Sequence, residues 1–336
     1  MALEALLWCL VGVCIVWCVL WTQTTLKWKY LKRKRIDLDH LPILAKDQHE
    51  MAAVIVEPRS KHPNMEAVLR NVRRKLGREV PIYWLHGVHP PHVEMENLFT
   101  HPLRVDNLDL DGYNSVMLNP RFYLAVPAKF MLVFQTDSVL FAKSLVKVES
   151  LKQWDYVGAP WPHRYHRMLE YATRFVPSDD VSMGNGGLSW RSRSRCLEAL
   201  FTYPPETTSH NTEDLYLAAV MSRLAGISLP TPEQAAEIFF EKTYPKTKQL
   251  PLGAHKWIPH GFSHQLLPSE RNILMAYTDQ SDDRDDASHH DNYQSDDRDD
   301  DDSAVASAPS HRDNYQTYSY ESDHEGVPPA PAVKAY

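Results

Sequence analysis

Disulfides are the first thing this chain cannot use to hold a fold. Of its four cysteines, Cys9, Cys14 and Cys18 lie in an apolar stretch near the amino terminus, which leaves Cys196 alone in the remainder. An intradomain bridge is thereby excluded, in keeping with a reducing compartment. No Asn-x-Ser/Thr acceptor occurs either, which agrees with a domain on the cytoplasmic side of a membrane. The GxxxxGK(S/T) spacing of a P-loop is missing, and so is the GxGxxG of a dinucleotide fold, so neither familiar phosphate cradle applies. Outside one short run, no basic stripe with interleaved aromatics is found, which argues against a nucleic-acid partner.

What is present divides unevenly. The chain has 336 residues and 43% hydrophobic content, enough to bury a sizeable core in one or two domains. Between Asp279 and Asp302 there are 12 Asp against 2 Arg, a balance of −10 within a formal net charge of −7, so everything else carries +3. QSDDRDD occurs at Gln280–Asp286 and again at Gln294–Asp300. A repeated, strongly charged segment poor in aliphatic residues is expected to be disordered, which defines a tail over 271–336. At the other end, Ala5–Trp21 is apolar throughout, and extended to Thr25 it reaches about the 20 residues that cross a bilayer as a helix. No basic residue precedes it, whereas Lys27, Lys29, Lys32, Arg33, Lys34 and Arg35 follow it. The positive-inside rule then makes 1–25 a retained anchor, 26–50 a basic juxtamembrane linker, and the domain at 51–270 cytoplasmic. A secretory-lumen orientation is the alternative.

Within that domain, Met51–Val56 reads as a buried strand stopped by Glu57-Pro58-Arg59. Asn64 caps a helix to Lys75 closed by Gly77, and Ile82–His86 forms the next strand. Strand, helix and strand at this spacing imply a parallel crossover, the opening of a nucleotide-binding α/β fold. Two short helices split by Pro120 occupy 112–127. Phe130–Phe134 is a short strand apolar on both faces that ends in Gln135, Thr136 and Asp137. A carboxylate there is either an Asx turn or a ligand group on the rim where α/β proteins bind small molecules.

Several further motifs carry polar or conformational signals. Arg59 either pairs with Glu57 or meets a phosphate or base. Trp154–Pro162 reads as a strand with a rigid turn, and Trp161 either stacks on a sugar or joins the core. Gly184, Gly186 and Gly187, followed by Arg191, Arg193 and Arg195, give a backbone that can approach a ligand closely. Asn211 or Thr212 caps a helix with Glu213 and Asp214 in its first turn, and Thr231, Pro232 and Gln234 open another that ends near Phe239-Phe240-Glu241. Gly253-Ala254-His255-Lys256-Trp257 finishes the domain.

EPR, QTDS, YVGAPW, GNGGLSWRSR, ED and GAHKW, in that order from about Ala52 to Trp257, resemble a domain family of formerly unassigned function similar to GT-A glycosyltransferases. The resemblance implies an α/β, GT-A-like nucleotide-sugar-binding fold with a mostly parallel mixed sheet. It implies transfer of a sugar from a nucleoside diphosphate sugar to a hydroxyl on a glycan, protein or lipid acceptor, with Mn²⁺ or Mg²⁺ and with inversion at the anomeric carbon. The usual Asp-x-Asp appears as Gln135-Thr136-Asp137, so Asp137 is the expected metal ligand and His255 the second. Lys256 is expected on the diphosphate; Glu57, Arg59, Gln135, Asn185, Gly186, Gly187 and Arg191 around the donor; Trp161 toward the acceptor. Asp214, with Glu213 as substitute, is the expected base. In relatives a Gly-Gly pair directly precedes the Glu-Asp, whereas here Gly186-Gly187 and Glu213-Asp214 are far apart along the chain.

Overall fold

The computed structural model describes residues 36–160, 184–205, 212–241, 249–259 and 261–281. The apolar run at Ala5–Trp21, Trp161 and the acidic repeats beyond Ser281 lie outside them. Among the described residues no helix is long and apolar enough to cross a membrane.

Alternation along two strands explains the layering. In β1 (His49–Val56), Met51, Ala53 and Ile55 face one apolar cluster while Ala52, Val54 and Val56 face another. In β4 (Ala128–Phe134), Phe130, Leu132 and Phe134 join the first cluster and Met131 and Val133 the second. A sheet covered on both faces needs apolar residues at successive positions, which is why both segments read as unbroken hydrophobic runs. Helix α1 (Met65–Leu76) covers the first face with Val68, Leu69 and Val72. It stops at Gly77, whose φ of 87° suits glycine.

Strands β2 (Ile82–His86) and β3 (Leu98–Pro102) follow, then α2 (Leu110–Met117) and α3 (Pro120–Leu124) before β4. β5 (Ser138–Leu140) and β6 (Tyr156–Gly158) lead to β7 (Leu188–Ser192), which runs directly into α4 (Arg193–Thr202). Then come α5 (Glu213–Met221), α6 (Pro232–Ile238), β8 (Phe239–Phe240), β9 (Gly253–His255) and α7 (Pro268–Ser281). The large sheet has the order β3-β2-β1-β4-β7-β6. β1 pairs parallel with β2 and β4, β2 with β3, while β7 is antiparallel to both β4 and β6. It is a mostly parallel mixed sheet. A second sheet, β5-β9-β8, stands beside it.

Both ends of the domain extend past the boundaries expected from composition. Leu38 and Leu41, inside the stretch read as a linker, are buried in the second cluster. Ile36 N donates to Ser115 Oγ at 3.1 Å, Leu44 N to Leu124 O at 2.9 Å, and Arg193 holds both Asp47 and the Leu44 carbonyl. At the carboxyl end, α7 buries Ile273 and Leu274. Its Glu270 accepts from Ala142 N and Leu267 N. A few apolar residues set among charges, once they find a groove, are enough to seat such segments.

Candidate active site

Strand order reverses between β1 and β4: the chain proceeds from β1 through β2 to β3 on one side, then returns to place β4 on the other. At such a switch point the loops leaving adjacent parallel strands diverge and open a crevice at their carboxyl ends. Glu57-Pro58-Arg59 follows β1 there, and Gln135-Thr136-Asp137 follows β4. Both loops line one cleft of about 260 Å³, which Tyr113 of α2 also borders. Glu57 grips Arg59 through two side-chain contacts of 2.8 Å and accepts Arg59 N at 2.9 Å. The two readings of Arg59 therefore coincide: it pairs with Glu57 and it borders the cleft.

The small sheet brings the remote carboxyl-terminal segment to the same rim. β5 and β9 pair antiparallel with Ser138 opposite His255, which sets His255 beside Asp137. His255 Nε2 lies 3.2 Å from Asp137 Oδ1 and 3.1 Å from Gln135 Oε1. Its Nδ1 lies 3.4 Å from Glu241 Oε1. Burial opposes a charge on the imidazole, yet the carboxylates of Asp137 and Glu241 raise its pKa to about 9. Burial likewise works against the Asp137 carboxylate, but His255, then Lys256, hold its pKa below the ordinary value. Lys256 N donates to Asp137 O at 2.9 Å. Lys256 itself takes φ of 63°, a left-handed conformation that bends the chain at this rim.

Two glycines tie this pair to the acidic helix start. A Cβ on Gly187 would overlap the His255 ring, and one on Gly186 would overlap the Glu213 carboxylate while pressing on Asp214 Cβ. Gly186-Gly187 is thus packed between the imidazole and the Glu-Asp dipeptide, and the separation along the chain is closed in space. Gly187 N donates to Asn185 Oδ1 at 2.9 Å, and Gly187 O accepts from Ser138 Oγ at 2.8 Å.

Behind the glycines, Glu213 is buried against Arg191 at 3.1 Å, and its backbone N donates to Asn114 Oδ1 at 3.1 Å. Arg191 lies within β7 and is fully enclosed, donating also to Ser189 Oγ, Tyr123 Oη and Gly186 O. The structure does not bring it to the cleft. Asp214 is half-buried; burial first, then the neighbouring Glu213, push its pKa up to about 7.

Residues 98–255 match a family described as a protein of unknown function (DUF5672). That match runs from β3 to β9, so it takes in Gln135, Asp137, Gly186, Gly187, Asp214 and His255 but neither Glu57 nor Lys256. Among curated proteins, none matches the chain.

Sequence reasoning passed over two groups at this site. Tyr113 sits in a stretch read only as helical, and its hydroxyl is buried without a well-formed hydrogen bond. Burial, with Glu213 nearby, raises its pKa. Glu241 reads from the sequence only as the end of a short helix. Its signal resembles that of Asp137, a carboxylate directly after a short aromatic-bearing strand.

A divalent cation can be tested against these donors. Among the described residues no group of three or more His, Cys, Asp or Glu is arranged around a common point. Asp137 and His255 are two ligands of the right kind, since hard cations take carboxylate oxygen and tolerate imidazole. Their separation of 3.2 Å is close to the roughly 3 Å between adjacent ligands of an octahedral ion. Asp137 Oδ1 is buried yet accepts no well-formed hydrogen bond, which is costly unless another partner is bound. The two residues fit a cation whose remaining ligands are supplied by water or a bound molecule.

Proposed function

We propose that the domain is a divalent-metal-dependent glycosyltransferase of the GT-A type, acting on a nucleoside diphosphate sugar and a hydroxyl acceptor. The observation that carries this reading is the meeting, at the sheet's switch point, of Asp137 and Gln135 with His255, 120 positions beyond Gln135. Asp137 and His255 would hold Mn²⁺ or Mg²⁺. The ion, when bound, supplies positive charge against the diphosphate as it departs.

The chain's own groups divide the remaining work. Lys256 is exposed at the same rim and adds a cation for the diphosphate. Glu57 and Arg59 border the cleft, where the guanidinium can stack on or bond to the nucleoside end. Gly186 and Gly187 serve by letting His255 and the Glu-Asp dipeptide approach each other, and Asn185, half-buried beside them, is the member of that turn left for the sugar. Asp214 suits the base: a carboxyl with a pKa of about 7 accepts a proton near neutrality better than an ordinary aspartate. Trp161 as an acceptor platform, the membrane anchor over 1–25 and the cytoplasmic placement of the domain belong to the same reading.

The test is a donor screen of the full-length protein in detergent, reading released nucleoside diphosphate with and without Mn²⁺. At least one donor should be turned over only with the ion, and Asp137→Asn should abolish that turnover. Asp214→Asn should lower transfer while sparing Mn²⁺-dependent donor binding. Release by none of the donors, or full metal-dependent turnover in Asp137→Asn, would overturn the proposal.

A further inference from the structure

The imidazole of His255 has a carboxylate at each nitrogen, and only one of them faces the cleft. Nε2 is directed at Asp137 and Gln135, whereas Nδ1 lies 3.4 Å from Glu241 Oε1 on the far side of the ring. This second contact is built by the backbone. Thr231 and Gln234 form a reciprocal capping box that starts α6, and the helix passes directly into β8. β8 pairs parallel with β9, Phe239 opposite Gly253 and Phe240 opposite Ala254. One residue further along that register, Glu241 stands next to His255. Gly187 closes the remaining face, since any side chain there would strike the ring.

Glu241 has no other ion pair among the described residues, and its second oxygen, like His255 Nδ1 itself, is buried without a well-formed hydrogen bond, so the two groups are left to each other at 3.4 Å. Charge neutralisation of a surface helix does not account for it. A neutral imidazole binds a cation through one nitrogen only when its proton resides on the other, and a carboxylate at that other nitrogen fixes both tautomer and ring angle. We infer that Glu241 is a positioning residue for His255: it holds the proton on Nδ1 and so presents Nε2 to the cation shared with Asp137. The two ring nitrogens point apart, so Glu241 acts through His255 and not as a ligand of the same ion. This role rests on the metal-dependent reading above.

The experiment uses the full chain and Mn²⁺ alone, without donor. The readout is the imidazole-nitrogen coupling of bound Mn²⁺ in pulsed electron paramagnetic resonance, taken as the difference from His255→Gln, because His289 and His290 lie among the aspartates of the acidic tail and can add coupling of their own. Glu241→Ala should need about 10–100-fold more Mn²⁺ to reach half the coupling amplitude. Glu241→Gln, whose carbonyl oxygen can still accept from Nδ1–H, should stay much closer to the parent. Melting temperatures without Mn²⁺ show whether a variant is folded; if Glu241→Ala is not, the parent, Glu241→Gln and Glu241→Asp decide the matter, with the shortened carboxylate binding more weakly than the amide. Equal half-points for Glu241→Ala and the parent overturn the role of Glu241 while leaving the metal site standing. No coupling in the parent beyond that of His255→Gln removes the metal site and the positioning role together.

Discussion

Two ion pairs flank the Gly186-Gly187 step, and they differ in whether they reach an opening. On one side Arg191 and Glu213 are enclosed, and the guanidinium spends its nitrogens on Glu213, Ser189, Tyr123 and a backbone carbonyl. On the other, His255 and Asp137 are equally buried, but Asp137 borders a cleft. In each pair one carboxylate oxygen, Glu213 Oε2 and Asp137 Oδ1, lacks a well-formed hydrogen bond, and only the second stands where a ligand can reach it. An enclosed pair can only hold the fold; one at an opening can take a ligand. The contrast separates scaffold from chemistry more sharply than residue type does, since both pairs join an acid to a base.

Breaking the enclosed pair should have the larger effect on stability. Arg191→Leu strands Glu213 in the interior, and loss of one partner of a buried pair typically costs about 3–5 kcal/mol. Urea denaturation should register a loss of that size. Replacing Asp137 by Asn should cost less, about 1–2 kcal/mol, because the amide fits the same space and His255 keeps Glu241 beside its other nitrogen. A loss for Asp137→Asn as large as that for Arg191→Leu would erase the distinction drawn here.

A proton-linked effect between these extremes concerns Asp214, next to the enclosed pair. Its carboxyl titrates near 7 in the fold against 3.8 in the open chain. Between those values the folded state holds a proton that the unfolded state has released, so this group makes stability fall as pH rises through the window. Asp214→Asn removes that slope. The variant should therefore gain stability over the parent at pH 8 compared with pH 4, by an amount on the order of 2–4 kcal/mol, in paired denaturation curves. Equal differences at the two pH values would show that Asp214 titrates as an ordinary carboxyl. The smallest effect belongs to the frame that carries Glu241: Thr231→Ala removes a helix cap and should cost about 1 kcal/mol, read as a modest fall in melting temperature.

Much of the parallel half was legible because its strands are buried on both faces and its helix ends in glycine. β1, β2, β4 and the split at Pro120 follow from hydrophobic runs and punctuation that act locally. Leu188–Ser192 did not announce itself: Arg191 sits in a strand whose alternation sends a charge inward, and only Glu213, brought in by α5, makes that tolerable. The cap expected from the Asn64 side chain is also not made, because Asn64 is already helical in its backbone. In the site, the role of Asp137 could be suspected from a carboxylate at a strand end. The neighbourhood of Glu241 depends on register in a sheet of two- and three-residue strands, which no periodicity in so short a stretch can encode.

The docking of residues 36–47 ties the cleft to whatever precedes it. Ile36 is fastened to Ser115 on α2, and Tyr113 on that same helix borders the cleft. A helix is only about 10 Å across, so the incoming chain is delivered to the back of one wall of the opening. A pull transmitted through Ile36 would be felt first by the helix that shapes the opening.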